Sequence, residues 1–155
     1  MKKNIVSLID AKESADKEKY KKMVEMSGLE ADSPKIAIET CKEIIKNISD
    51  VEPKNIKIKS TFKKKGKKFY ICQIKLKSRE ETINILKNKR NVGNKNIFIN
   101  EALTDHQKSI FLEVLKLKKD KKIQSCYTRG GLTYFKENGS EKAFLVRDFG
   151  NIPQY

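Results

Sequence analysis

The sequence predicts an α+β protein: a β-α-β-β-α-β unit with two helices on one face of an antiparallel sheet, then a small domain of one helix and two or three short strands. Three observations carry that expectation. Apolar residues recur with period 2 or period 3.6 in that order between residues 22 and 101. Capping signals open each helical run: Ser33-Pro34, Ser78 with Glu81, and Thr104 with Gln107. The length of 155 residues and the 37% hydrophobic content suit one domain or two very small ones, and exclude a large multidomain enzyme.

Residues 1–21 read as an N-terminal segment with room for a short helix. Its apolar patch, Ile5, Val6, Leu8 and Ile9, does not continue as a heptad, so no coiled coil is expected. Val24 and Met26 alternate with Met23 and Glu25 to give a first strand from Met23 to Ser27, ended by Gly28. Ser33 as N-cap and Pro34 in the first turn open a helix whose apolar stripe is Ile36, Ala37, Cys41, Ile44, Ile45 and Ile48. A second strand, Asn55 to Lys63, alternates Ile56, Ile58 and Phe62 with Lys57, Lys59 and Thr61. A lysine-rich hairpin tip joins it to a third strand, Lys68 to Lys77, with Tyr70, Cys72, Ile74 and Leu76 on one face. Ser78 and Glu81 form a capping box for a second helix that presents Ile83 and Leu86 and stops near Gly93, and Asn96 to Asn100 is the fourth strand.

That order, expected over residues 22–101, is the split βαβ or ferredoxin-like arrangement, and it is the architecture of an RNA-recognition module. The helix-free face of such an RNA-recognition-like domain carries Phe69, Ile71, Gln73 and Lys75 from the third strand and Lys57, Lys59 and Thr61 from the second. Phe69 is the one aromatic expected there, as a platform for an unpaired base. Residues 102–155 form the smaller domain. Thr104 and Gln107 cap an amphipathic helix bearing Ile110, Phe111, Val114 and Leu115, which ends in a cluster of lysines suited to the helix dipole. Two short strands flank Arg129-Gly130-Gly131, whose glycines supply a tight hairpin, and a third strand and terminal turn follow.

Charge points to the partner. With 35 Lys+Arg against 20 Asp+Glu the net charge is +15 and the pI about 9.7. Only Arg79, Arg90, Arg129 and Arg147 are arginines, and the abundance of Lys, Asn and Ile reads first as the coding bias of an AT-rich genome. The surplus is nonetheless uneven: Pro53 to Arg79 holds no acid, and Lys63, Lys64, Lys65, Lys67 and Lys68 crowd around Gly66. Such a block is relieved by a polyanion with condensed counterions, so nucleic acid is the inferred partner, against the plainer reading of a solvated face. A membrane surface is disfavoured, because no helix opposes a basic face to Trp or Phe. No apolar run spans a bilayer and no cleavage site follows the N-terminal apolar residues, so an intracellular protein, cytoplasmic or nuclear, is expected.

Nothing in the chain assembles a catalytic set. His106 reads as a surface residue of a helix first turn, and Glu80, Glu81 and Asp105 as dipole and capping groups. Asp148 lies in a DFG triplet without the glycine loop or catalytic loop of a kinase. Cys41, Cys72 and Cys126 are far apart and read as reduced, buried thiols rather than metal ligands. No cofactor, metal or catalytic residue is expected, and the protein reads as a non-enzyme.

The stretch from Ile97 to Lys136, with its I-x-I-N-E-x-L-T start, basic helix and T-R-G-G-L-T-Y-F-K end, resembles the C-terminal domain of the baculovirus few-polyhedra proteins. An RNA-recognition-like fold followed by a small C-terminal domain is also similar to the first-open-reading-frame nucleic-acid chaperone of LINE-type retrotransposons. Residues Met23 to Asp32 resemble that family's first-strand motif, except that Glu30 stands where proline is usual. The resemblance spans about residues 22 to 148. It implies largely sequence-independent binding of single-stranded RNA or DNA in the cleft between the two domains. The contacts it implies are Arg129, Tyr134, Lys121 and Lys122, types suited to forked, stacked and unselective attraction. With the acid-free segment and the neighbouring Tyr127 and Arg147, the expected nucleic-acid-binding set is Lys57, Lys59, Lys63, Lys64, Lys65, Lys67, Lys68, Phe69, Lys75, Lys121, Lys122, Tyr127, Arg129, Tyr134 and Arg147. The alternative is a few-polyhedra-like viral structural or assembly protein, acting on viral partners or on itself through the N-terminal patch.

Overall fold

The computed structural model describes residues 17–155. The elements run β1 (Met23–Glu30), α1 (Pro34–Ser49), β2 (Asn55–Lys64), β3 (Lys67–Lys75), α2 (Arg79–Asn88), β4 (Phe98–Glu101), α3 (Asp105–Lys119), β5 (Ser125–Arg129), β6 (Leu132–Lys136) and β7 (Ala143–Val146). The protein is α+β, with one four-stranded and one three-stranded antiparallel sheet. Residues 18–102 form one unit, and residues 103–155 with Lys17 form another. The patch at Ile5, Val6, Leu8 and Ile9 lies outside the described residues, and residues 17–20 are helical.

In the first unit the strand order is β2-β3-β1-β4, every neighbouring pair antiparallel. Alternation sends Val24 and Met26 of β1, Tyr70, Cys72 and Ile74 of β3 and Ile99 of β4 into one core. Ala37, Cys41 and Ile45 of α1 and Ile85 of α2 meet them there. Fully burying each large apolar side chain contributes roughly 1.5–3 kcal/mol. The caps form where the sequence puts them. Ser33 Oγ accepts from the Ile36 N–H at 3.3 Å, with Pro34 in the first turn. Ser78 Oγ accepts from the Glu81 N–H at 3.3 Å. Glu81 does not close the expected box, however: its carboxylate accepts from the Lys77 N–H, one residue earlier.

Four local expectations are corrected. β1 does not stop at Gly28 but passes through it with an irregularity between Met26 and Leu29, Gly28 taking φ +80°. The residue is confined to glycine by space as well, since an added Cβ would lie 2.0 Å from the Asn96 carbonyl oxygen. α2 buries Thr82 and Ile85 rather than Ile83, which is exposed, and Leu86 packs at the margin of the core. The Thr82 hydroxyl reaches the Ser78 carbonyl at 3.4 Å, which lets a polar residue take that place. α2 also ends at Asn88, before Gly93, and passes into a short 3-10 turn at Lys89–Asn91. Most consequential is a bulge in β2, where the pairing steps from Ile58 opposite Cys72 to Ser60 opposite Ile71. One extra residue inverts everything after it, so Phe62 faces away from the helices and Thr61 toward them.

The second unit packs Ile110 and Val114 of α3, Ile123, Phe135 of β6 and Val146 of β7 into a smaller core. Thr104 and Gln107 make the full capping box, the Gln107 backbone N–H donating to Thr104 Oγ1 at 3.1 Å and Gln107 Oε1 accepting from the Thr104 backbone N–H at 3.0 Å. Where α3 ends, the Lys122 N–H returns to the Leu117 carbonyl at 2.8 Å and the Lys121 N–H to the Lys118 carbonyl at 3.0 Å. That paired closure puts Lys121 in the left-handed region at φ +61°, a place usually filled by glycine.

A candidate nucleic-acid interface

β5 and β6 are joined by Gly130 and Gly131 alone, both at positive φ, +62° and +81°. A two-residue turn of that kind fixes the register without slack. Arg129 therefore opposes Leu132, Tyr127 opposes Tyr134, and Ser125 opposes Lys136. Alternation places all six on the face away from the core, while Cys126, Thr133 and Phe135 point inward. The Tyr127 and Tyr134 rings lie parallel, with centroids 5.4 Å apart and planes at 11°. Across β6 the same face continues to Leu145, and Arg147 follows one residue beyond the end of β7. Arg129 and Arg147 are exposed, so a pair of flat rings stands among two guanidinium groups and the Lys136 ammonium. Lys136 was absent from the sequence-derived set, although strict alternation from Tyr134 marks it.

The turn is braced from below. An added Cβ at Gly131 would approach Gln107 Nε2 to 2.3 Å, so the capping amide of α3 packs against the hairpin tip. His106 is exposed in the first turn of α3 and meets Phe149 edge-on, with centroids 5.8 Å apart. Lys121 and Lys122 are exposed at the other end of α3, where the Asn138 amide donates to the Lys121 carbonyl at 3.1 Å.

In the first unit the expected lysines divide between two faces. Lys57, Lys59, Lys64, Lys67, Lys75 and Phe69 lie on the helix-free side of β2 and β3, while Lys63 and Lys68, opposite one another, lie on the Tyr70 side. Lys68 Nζ stands 6.0 Å from the centre of the Tyr70 ring. Lys65 and Gly66 form the hairpin tip. The ion pairs among the described residues engage only two lysines of this group, Lys59 with Glu25 and Lys67 with Glu30 at 3.7 Å. Arg79 is occupied structurally, donating to the Lys21 carbonyl at 3.1 Å and lying 3.9 Å from the buried Glu101 carboxylate. Sequence alternation missed Phe62 because no glycine or other marker announces the β2 bulge.

Cys41, Cys72 and Cys126 carry free thiols, the first two buried and Cys126 half-buried rather than buried as expected. A hydrogen bond with Cys72 and burial push the Cys41 thiol well above its ordinary range, and burial raises Cys126 against the pull of Lys118. A raised thiol is a poor nucleophile at neutral pH. Among the described residues no group of three His, Cys, Asp or Glu is placed to hold a metal, and no helix is long and apolar enough to cross a membrane. No protein-family model matches the chain, and no curated protein matches it significantly.

Proposed function

We propose that this chain is a non-enzymatic, largely sequence-independent binder of single-stranded RNA or DNA, with the annealing chemistry of a nucleic-acid chaperone. The observation that carries it is the outer face of the three-stranded sheet: the parallel Tyr127 and Tyr134 rings framed by Arg129, Lys136 and Arg147. Flat rings accept any unpaired base, and cations beside them take the phosphates without reading sequence. A duplex, whose bases are stacked on one another, offers such rings nothing. The net charge of +15 supports the same ligand class. The strand order β2-β3-β1-β4, with a helix in each β-α-β crossover, favours an RNA-recognition-like reading of residues 18–102. The resemblance of Ile97 to Lys136 to the few-polyhedra proteins, and of the domain order to the LINE-type chaperone, suits that reading.

The test is a titration of labelled single-stranded RNA at increasing salt. A steep fall of log K with log salt is expected, since several phosphates are neutralised. Arg129→Ala and Tyr134→Ala are each expected to weaken binding by about 1–3 kcal/mol with folding intact. A flat salt dependence, or unchanged affinity in both variants, refutes the proposal.

A further inference from the structure

The β2 bulge builds a second aromatic surface, in the other unit. Because Lys59 is the extra residue, Phe62 turns to the helix-free face and lands opposite Phe69, ring centroids 5.4 Å apart and planes at 16°. Phe62 is 44% exposed and Phe98, which opposes Ser27 on the same face, is 60% exposed. An exposed apolar patch rimmed by polar groups marks an interaction site. The surrounding charge says what. Lys57, Lys64 and Lys67 share the face, Lys65 stands at the tip, and the acids of β1 on this side, Glu25 and Glu30, are each neutralised by a lysine. The cores of protein interfaces are depleted in lysine, so this pattern of rings among ammonium groups suits bases and phosphates and not an apolar protein partner.

We propose that this face is a second single-strand site, separate from the tyrosine hairpin. Unpaired bases stack on the Phe62–Phe69 pair and on Phe98, and Lys57 and Lys64 take the phosphates. Phe98 lies two strands from β3, on the order of 10 Å across the sheet, so one strand crosses the sheet to touch both. The inference rests on the proposed function for its ligand class and adds that each unit holds its own stretch of strand.

The experiment uses the full chain with two probes of equal phosphate count, a labelled oligouridylate and an abasic oligomer. It is run in wild type, in Arg129→Ala/Tyr134→Ala, and in that double variant with Phe62→Ala or Phe62→Tyr added. The double variant is expected to keep measurable affinity for oligouridylate. Adding Phe62→Ala is expected to weaken that residue of binding roughly tenfold or more, with the abasic oligomer unaffected and Phe62→Tyr restoring it. Phe62 is exposed, so truncation spares the core, and far-UV circular dichroism checks the fold. Wild type that binds neither probe defeats the proposed function and this site together. Wild type that binds, with Phe62→Ala matching its parent or with no residual affinity in the double variant, overturns the second site alone. A change of mass by light scattering on Phe62→Ala overturns it too, by assigning the face to a second copy of the chain.

Discussion

Replacing Gly28 by alanine is expected to unseat β4, and Gly66→Ala measures how much of that loss is conformational. The two glycines share nearly the same angle, φ +80° and +77°. An L side chain in that region costs roughly 1–2 kcal/mol, offset by about 0.4–1 kcal/mol from the stiffer unfolded chain. At Gly66 nothing lies within 4 Å of the added methyl, so that balance of about 1 kcal/mol is the whole effect. At Gly28 the methyl would stand 2.0 Å from the Asn96 carbonyl oxygen and 3.0 Å from its carbon. The obstacle is backbone, which has no rotamer to change, so the chain leading into β4 must retreat. β4 is only four residues long and pairs with Val24 to Ser27. Losing two of its ladder bonds costs about 1 kcal/mol each, and withdrawing part of buried Ile99 adds a similar amount. Gly28→Ala is therefore expected to lose about 3–4 kcal/mol, against about 1 for Gly66→Ala. Urea unfolding followed by far-UV circular dichroism gives both values, and amide exchange at Phe98 and Ile99 reports whether β4 is the part released. Equal losses in the two variants, with Ile99 still protected, refute the reasoning.

Two further substitutions are expected to stabilise the fold. The Tyr70 hydroxyl is buried and has no hydrogen-bond partner among the described residues, so Tyr70→Phe is expected to raise stability by about 1 kcal/mol, read as a higher urea midpoint at unchanged slope. Lys121→Gly removes a side chain from a left-handed position and is expected to stabilise by about 1 kcal/mol while lowering the steepness of the salt dependence of strand binding by about one phosphate's worth. Stability that falls in either variant refutes the corresponding local argument.

The parts of this protein that were legible in the sequence are those governed by short-range rules. Ser33-Pro34 and Thr104 with Gln107 fix helix starts because a cap needs only residues three apart. The tyrosine pair was within reach for the same reason: with two glycines as the whole turn, Tyr127 and Tyr134 can only face each other. What escaped depends on the partner strand. A bulge at Lys59 and Ser60 satisfies the same alternation up to Ile58 and then reverses it, and only the register against β3 reveals the change. Gly28 likewise reads as a stop, whereas the sheet uses it to carry β1 past a close backbone neighbour. The phenylalanine pair was hidden by the first of these and the full length of β1 by the second.

Backbone angles separate chemistry from coding bias in the lysine excess. Lys65 and Lys121 both adopt the left-handed region, φ +53° and +61°. Asparagine is tolerated there better than lysine, and its codons are as AT-rich, so base composition alone does not favour lysine over asparagine at either position. Lysine occupies each at a cost of roughly 1 kcal/mol. One of them stands at the tip between the strands that carry Phe62 and Phe69, and the other at the end of the helix whose first turn braces the Arg129 hairpin. Strain kept in a sparsely populated conformation points to a use for the side chain that stability does not supply. For an ammonium group at an exposed turn, in each of the two units, the use that the proposed function assigns is the attraction of phosphate.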